Sequence, residues 1–434
     1  MRMTAPARWL VSLGTVITLT ACAGTGGSNG GTTRQVTAST TVAGEPVTLT
    51  LAYTDDPPTK ALIDGFTKRH PNVTIKPQQT PFNDYIKSIK LAMSSDRPPD
   101  IAQYNPGAMS SLVPAGLILD LGPWVRAYGW KNRFPPASLE VLSSDKSAKR
   151  LGTGALYAAP GALSVLGVFY NRKTVKQVPR TLAEFEAAMR KAKDAGQTPL
   201  SVGALQVGGF QIWNALLNVL GDVNAYRSWV YGRPGATIET PSAQKATQTL
   251  TDWVHRGYIP ASANATADSD AQAAFAQGRS AFLVTGNWAA AALQKAMGDD
   301  VGFFLLPSTT EQPKNVASGA SVAYAVSSKT RHPNVAAAFL DYLSSPEAAK
   351  IQFEAGFMPV STRTELGGDG LPQEIAAAFT PVAQHNGIVP FPDFASPGMI
   401  DKLTPGVQGL ISGRTTTEDF LRSLQSSWEQ HHGS

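Results

Sequence analysis

The order of apolar patterns between residues 47 and 102 constrains the fold of this chain most. Alternating apolar side chains over residues 47–53 predict a strand, and apolar side chains at helical spacing over residues 62–66 predict a helix. A second strand over 73–75, a second helix over 86–93 and a third strand over 100–102 follow. Strands that alternate with helices predict a parallel sheet with crossover helices, where ligands bind beyond the carboxyl ends of the strands.

Length and composition set the size and class of the protein. The chain has 434 residues, which suits two lobes of about 150 to 200 residues each. Apolar residues make up 42% and charged residues 16%, a composition typical of globular proteins. The formal net charge is +5, but no run of Lys or Arg interleaved with aromatics is present, so we expect no nucleic-acid partner.

The amino terminus has the form of a lipoprotein signal. Arg2 and Arg8 precede an apolar run over residues 9–21, which is short for a bilayer span and typical of a secretory leader. The run ends at Cys22, the only cysteine, so neither a disulfide framework nor a cysteine-rich metal site is expected. We expect Cys22 to carry the lipid anchor; the alternative is an ordinary buried cysteine.

Segments 1–21 and 22–45 are therefore predicted to be a signal peptide and a flexible tether. The tether is rich in Gly, Ser and Thr and has little apolar surface to bury. A folded domain is expected to begin near Pro46. This organisation predicts a protein tethered to the outer face of the bacterial cytoplasmic membrane, or located in the periplasm.

The common sequence signatures of catalysis are missing. The chain has no G-x-S-x-G, H-E-x-x-H or P-loop motif, and its six histidines are scattered. Asp55 and Asp56 follow the first predicted strand, where a ligand role and a simple turn are equally plausible. Asp268 and Asp270 are interpreted as solvated loop residues rather than calcium ligands. We predict no catalytic residue, metal or cofactor.

A site for a small polar ligand that also has an apolar face combines planar aromatic rings with short polar side chains. Such residues occur at predicted strand ends and in predicted cleft loops. The candidate ligand-binding residues are Tyr53, Asp55, Asp56, Gln103, Tyr104, Asn105, Phe210, Trp213, Asn287, Trp288, Ser318 and Phe394. The other tryptophans beyond the apolar run at residues 9–21, namely Trp124, Trp130, Trp229, Trp253 and Trp428, are predicted to pack in the interior.

Several motifs resemble those of a known family. Residues 274–288 follow the pattern A-F-x-x-G-x-x-A-F-x-x-x-G-x-W, with Asn287 where many relatives have proline. This pattern resembles a signature of the extracellular solute-binding proteins of ABC importers, the family that includes maltose-binding protein. The Pro-Asp-Ile step at 99–101 and the Ser-Pro-Glu-Ala step at 345–348 also match, and the resemblance covers residues 47–428.

The resemblance implies an α/β, two-lobed periplasmic-binding-protein type II fold. Each lobe is expected to be a mainly parallel sheet flanked by helices, and each is discontinuous in sequence. The expected amino-terminal lobe consists of 46–160 and 304–328, and the carboxy-terminal lobe of 161–303 and 329–430. A hinge is expected in the segment 156–171, which resembles the family's crossing between lobes.

The resemblance also implies roles for individual residues. The family's tryptophan at the end of the signature stacks on sugar, which implies that Trp288 is a stacking platform. Tyr104, Phe210 and Phe394 fall roughly where maltose-binding relatives place their other aromatic side chains. Trp213 lies inside an expected helix, where a core position is the favoured interpretation.

The predicted function is capture of a carbohydrate, such as a disaccharide or oligosaccharide, and its delivery to an ABC permease. The protein is expected to act as a monomer and to catalyse nothing. A first alternative within the fold is a charged ligand such as a glycerophosphodiester, although no basic cluster in the cleft favours it. The others are a surface glycoside hydrolase that uses Asp55 or Asp56, and an envelope scaffold without a small ligand.

Overall fold

The fold is built around a central β-sheet. The computed structural model describes residues 37–42, 44–55, 58–312, 314–360 and 367–433. Cys22, Asp56 and the predicted signal peptide lie outside the described residues, as does most of the predicted tether.

The strands alternate with helices along most of the chain. The strands are β1 (Val47–Tyr53), β2 (Val73–Gln79), β3 (Ile101–Tyr104), β4 (Ser143–Ser144), β5 (Ala155–Leu156), β6 (Ala159–Asn171), β7 (Thr198–Ser201), β8 (Ser280–Gly286), β9 (Val301–Phe304), β10 (Ala317–Val326), β11 (Met358–Pro359) and β12 (Ile388–Val389). The helices are α1 (Pro58–Arg69), α2 (Phe82–Ser94), α3 (Pro106–Met109), α4 (Gly122–Tyr128), α5 (Pro136–Glu140), α6 (Leu182–Asp194), α7 (Gly208–Leu220), α8 (Val223–Val230), α9 (Pro241–His255), α10 (Asp268–Ala276), α11 (Ala290–Met297), α12 (Pro333–Tyr342), α13 (Pro346–Glu354), α14 (Leu371–Gln384), α15 (Ile400–Ile411) and α16 (Thr417–His432).

The first three strands form the parallel arrangement that the sequence predicts. β1 pairs in parallel with β2 from Val47 to Tyr53, and it pairs in parallel with β3 on its other side. Helices α1 and α2 connect these strands. Because all three strands point the same way, the residues that follow β1 and β3 meet at one edge of the sheet.

Two long strands, β6 and β10, join this parallel part to the rest of the sheet. The first half of β6 pairs antiparallel with β10, and its second half pairs antiparallel with β8 and β9. β10 also pairs antiparallel with β3, while β7 pairs in parallel with β8. The α/β class is confirmed, and the sheet is mixed because β6 and β10 run against their neighbours. The exact lobe boundaries stay a prediction.

Helix α6 shows how local sequence determines an element. The Thr181 hydroxyl accepts a hydrogen bond from the Glu184 amide at 3.2 Å, a cap that contributes about 1 kcal/mol to helix stability. Its apolar residues Leu182, Phe185 and Met189 are buried against the sheet, as their spacing predicts. The chain leaves the helix at Gly196, whose φ of +77° favours glycine.

The interior is rich in aromatic side chains. Trp124, Trp130, Trp229 and Trp253 are almost completely buried, and Trp428 is 5% exposed. The prediction that these five tryptophans pack in the interior is confirmed. Among the described residues, no helix combines the length and the apolar character needed to span a lipid bilayer.

Candidate ligand-binding site

A cavity of about 380 Å³ lies at the edge of the sheet where β1 and β3 end. Thr54 and Asp55 follow β1, and Gln103, Tyr104 and Asn105 lie at the end of β3. The opposite wall comes from later parts of the chain: the loop after β7, the start of α7, the end of β8 and the turn before α15. The cavity therefore occupies the position expected for a ligand in this class of sheet.

Aromatic rings form much of the cavity wall. Trp288 follows β8 in a short 3-10 turn and is half-buried, and its ring centroid lies 6.2 Å from that of Phe391. Phe391 in turn lies 6.0 Å from Phe394, in an edge-on arrangement. Tyr104 and Phe210 also line the cavity. These planar apolar surfaces suit the C–H face of a sugar ring.

Short polar side chains complete the wall. The Gln103 side-chain oxygen accepts hydrogen bonds from the Thr54 amide at 2.9 Å and the Thr54 hydroxyl at 3.2 Å, which fixes Gln103 at the end of β3. The opposite wall contributes Ser201, Gln211 and Gln272. Groups of this kind form directional hydrogen bonds with ligand hydroxyls.

Asp268 lies where the start of α10 meets the start of α7. Its carboxylate accepts hydrogen bonds from the Gly208 amide at 3.0 Å and the Val207 amide at 3.3 Å, so it caps α7. Burial raises the pKa of Asp268 to about 6, while hydrogen bonds from Gly208, Val207 and Asn83 act against this shift. The expectation that Asp268 is a solvated loop residue is therefore wrong, whereas Asp270 is exposed as expected.

Asp393 is the most buried carboxyl group in the cavity wall. It lies in the 3-10 turn Pro392–Ala395 and is 7% exposed. The turn packs closely on α3, because a Cβ added at Gly107 would lie 2.5 Å from the Asp393 carbonyl oxygen. Burial raises the pKa of Asp393 to about 7, and hydrogen bonds from its own backbone and from Asn105 act against this shift.

The charge of the cavity wall has one sign. Asp55, Asp268 and Asp393 contribute carboxyl groups, and the described residues that line the cavity include no Lys, Arg or His. Among the described residues, no group of three or more His, Cys, Asp or Glu is arranged to hold a metal ion. The cavity therefore favours ligands that donate hydrogen bonds or carry positive charge, and it disfavours anions.

The structure brings together a subset of the candidate residues. Those that line the cavity are Asp55, Gln103, Tyr104, Asn105, Phe210, Trp288 and Phe394. Those that lie outside it are Tyr53, Trp213, Asn287 and Ser318. Asp56 is outside the described residues.

Local packing explains why these candidates lie away from the cavity. The Asn287 side chain accepts from the Val165 amide at 2.9 Å and donates to the Leu163 and Gly356 carbonyls, so it fixes the end of β8 to β6. The Ser318 hydroxyl lies 2.8 Å from the Asn214 side-chain oxygen, within a buried polar cluster. Tyr53 and Trp213 are buried in the interior.

The cavity residues that are absent from the sequence candidates include Phe391, Asp393 and Asp268. The first two belong to the segment Pro-Phe-Pro-Asp-Phe at residues 390–394, where only Phe394 is a candidate. The alternation of aromatic and acidic residues with proline in this loop is the signal that could have identified them. Asp268 carries no comparable signal, because its partners are about 60 residues away in sequence.

Comparison with known proteins gives a consistent result. The family model described as bacterial extracellular solute-binding protein matches residues 53–350. The multiple sugar-binding protein of Streptococcus mutans is 22% identical over 319 residues, which cover 70% of this chain and 72% of that protein. The maltodextrin-binding protein MdxE of Bacillus subtilis is 21% identical over 360 residues, 80% of this chain and 81% of that protein. A maltooligosaccharide ABC transporter solute-binding lipoprotein of Streptococcus pneumoniae is 20% identical over 299 residues, 66% and 69% of the two chains.

Solved structures share the fold. A chitin oligosaccharide binding protein superposes with a TM-score of 0.73 at 22% identity, covering 89% of this chain and 99% of that one. RafE in complex with raffinose superposes with a TM-score of 0.68 at 19% identity, covering 89% and 99%. At this level of identity the likeness establishes the type II solute-binding fold.

Proposed function

The chain belongs to the bacterial extracellular solute-binding proteins, and from this membership we propose that it binds a carbohydrate in the cavity and delivers it to an ABC permease. The observation that carries the proposal is the combination of Trp288, Phe391 and Phe394 with short polar side chains at the ends of β1 and β3. Aromatic faces pack on sugar C–H groups, and the polar groups bind hydroxyls. The names of the relatives, which describe sugar and maltodextrin binding, support the same ligand class.

The charge of the cavity argues against the anionic alternative. A glycerophosphodiester would meet Asp268 and Asp393 without any basic side chain among the described lining residues. Phosphate-binding sites normally provide Arg, Lys or several backbone amides. The backbone amides of Val207 and Gly208 at the start of α7, which are suited to this role, are already bonded to Asp268.

A thermal-shift screen of the purified protein tests the ligand class. Monosaccharides, maltooligosaccharides, cello-oligosaccharides, raffinose and glycerophosphodiesters are compared, since a ligand at about 100 times its Kd stabilises the fold by ~2.7 kcal/mol. We expect stabilisation by at least one oligosaccharide and by no phosphodiester. A shift only with phosphodiesters would overturn the proposal, and release of sugar from a chromogenic glycoside would favour the hydrolase alternative.

Ligand binding is proposed to close two lobes, 46–160 with 304–328 and 161–303 with 329–430. The composition of the cavity wall supports this, because Gln103 and Asn105 belong to the first predicted lobe whereas Trp288 and Asp393 belong to the second. A ligand that contacts both sides of the cavity favours the state in which the lobes are close together. Small-angle scattering is expected to show a smaller radius of gyration after ligand addition, and an unchanged profile at saturation would contradict a moving cleft.

Attachment through a lipid on Cys22 is proposed as well. The position of this only cysteine directly after residues 9–21 supports it, as does the description of the S. pneumoniae relative as a lipoprotein. A single acyl chain binds membranes weakly, so stable attachment requires further acyl chains. Expression of Cys22→Ala is expected to abolish both lipid labelling and membrane retention; normal labelling of the variant would place the anchor elsewhere.

A further inference from the structure

Asp268 and Asp393 are the two carboxyl groups of the cavity wall that are at least half-buried, and they differ in the donors that surround them. Asp268 accepts two backbone hydrogen bonds, from Val207 and Gly208 at the start of α7. The polar side chain that acts on the Asp393 carboxyl group is that of Asn105. The Asn105 oxygen accepts from the Ala108 amide at 3.0 Å, which leaves its amide nitrogen to face Asp393.

The surroundings of Asp393 are aromatic and lack positive charge. Phe391 and Phe394 flank it in sequence, and Trp288 packs against Phe391 with a centroid separation of 6.2 Å. No basic residue occurs among the described residues of the cavity wall. A carboxylate beside aromatic rings is the environment that stabilises an ammonium group, through charge-assisted hydrogen bonds and cation–π attraction.

We propose that the preferred ligand is a basic amino sugar, an oligosaccharide or pseudo-oligosaccharide whose protonated amine pairs with Asp393. This inference rests on the proposed carbohydrate-binding function and specifies its ligand class. Asp393 is then the residue that distinguishes a basic sugar from a neutral one. A neutral sugar places hydroxyl groups at the same point and leaves the carboxylate without a counter-charge.

Calorimetric titration with matched sugars tests the inference. Chitotriose, which has free amines, is compared with triacetylchitotriose and cellotriose, which share its β-linkage and are neutral. Acarbose, which has a secondary amine, is compared with neutral maltotetraose as the α-linked pair. We expect the basic member of at least one pair to bind ten times more tightly or better than its neutral partner.

The Asp393→Asn variant assigns this preference to one carboxyl group. It keeps the shape and one hydrogen-bond acceptor of the side chain but removes the charge, so the ratio between the affinities for the basic and the neutral sugar is expected to fall to within about threefold of one. Asp270→Asn is the matched control, because Asp270 is exposed and does not line the cavity. It is expected to leave both affinities unchanged.

Each other outcome is decisive. The inference would be overturned if neither chitotriose nor acarbose bound more tightly than its neutral counterparts. The carbohydrate-binding function would remain intact. Loss of basic and neutral binding to the same extent in Asp393→Asn would show a general role for this residue and would also overturn it. No binding of any sugar in the panel or the thermal-shift screen would defeat both proposals. If Asp393→Asn does not fold, the affinities of the wild-type protein for basic and neutral sugars still test the inference.

Discussion

The surroundings of Trp213 and Trp288 differ, although both residues are ligand candidates by sequence. Trp213 in α7 is completely buried, donates from Nε1 to the Thr247 hydroxyl at 2.8 Å and packs edge-on against Phe420 at 5.1 Å. Trp288 is half-buried, contacts Phe391 and lines the cavity. Trp213 therefore completes a core, whereas Trp288 keeps part of its ring available to a ligand.

Polar groups in the two regions show the same difference. The Thr247 hydroxyl beside Trp213 accepts from the indole and donates to the Ala243 carbonyl at 2.9 Å, so both of its functions are used within the protein. Asp393 in the cavity wall is buried without a basic neighbour among the described lining residues. A core satisfies its own groups, while a binding site keeps groups whose best partner is the ligand.

Removal of the core tryptophan is expected to have the largest effect. Trp213→Ala leaves a cavity and removes the indole donor to the Thr247 hydroxyl, and we expect it to lower the free energy of unfolding by about 3 to 5 kcal/mol. Urea denaturation measures this loss, and calorimetry on the folded fraction is expected to show unchanged ligand affinity. A variant of normal stability with weakened binding would reverse the assignment of Trp213.

Removal of the cavity tryptophan is expected to affect binding instead. By analogy with bases stacked on aromatic side chains, Trp288→Ala is expected to lose roughly 1 to 3 kcal/mol of binding free energy, or about 5- to 150-fold in affinity. The free energy of unfolding is expected to change less than in Trp213→Ala, because Trp288 is only half-buried. Normal binding together with a large loss of stability would identify Trp288 as a core residue.

The smallest effect that we expect is a pH dependence of stability, which arises from Asp393 in the cavity wall and has no counterpart at Trp213 in the core. Because burial raises the pKa of Asp393 to about 7, the folded state holds a proton that the unfolded state, with a carboxyl pKa of about 3.9, has lost. This stabilisation is fully present below the unfolded pKa and is lost as the pH rises through about 7. Lowering the pH from about 8 to about 6.5 is therefore expected to stabilise the ligand-free protein by about 1 kcal/mol through Asp393.

The control for this prediction is Asp393→Asn, which lacks the titrating group. Burial lowers the pKa of His431 and His432, so their contribution has the opposite sign in both proteins and cancels in the difference. Asp268, whose pKa is raised to about 6, titrates mostly below this range. A wild-type curve that runs parallel to that of the variant would show that Asp393 does not take up a proton on folding.

The sequence predicts the scaffold well because the scaffold depends on local patterns. The β1 to β3 arrangement follows from alternating and helical apolar spacing, and the Thr181 cap of α6 follows from four consecutive residues. The position of Trp288 follows from the strand that precedes it. Each of these features involves residues that are close in sequence or a chain order that few folds accommodate.

The side-chain composition of the cavity is harder to predict, because it depends on distant contacts. Helix α7 is buried on nearly all sides, so burial does not distinguish Phe210, which lines the cavity, from Trp213, which packs in the core. Asp393 approaches Asn105 across nearly 300 residues of chain, and no local pattern determines that pairing. Sequence spacing places the strand ends, whereas the meeting of separate loops decides which side chains form the wall.

A crystal structure of the protein with the oligosaccharide that gives the largest thermal shift would show whether the cavity binds sugar. We expect density for a sugar ring packed on Trp288, with ligand polar groups within hydrogen-bond distance of side chains that line the cavity. A sugar bound elsewhere on the surface, with the cavity between Trp288 and Tyr104 free of ligand, would contradict this expectation.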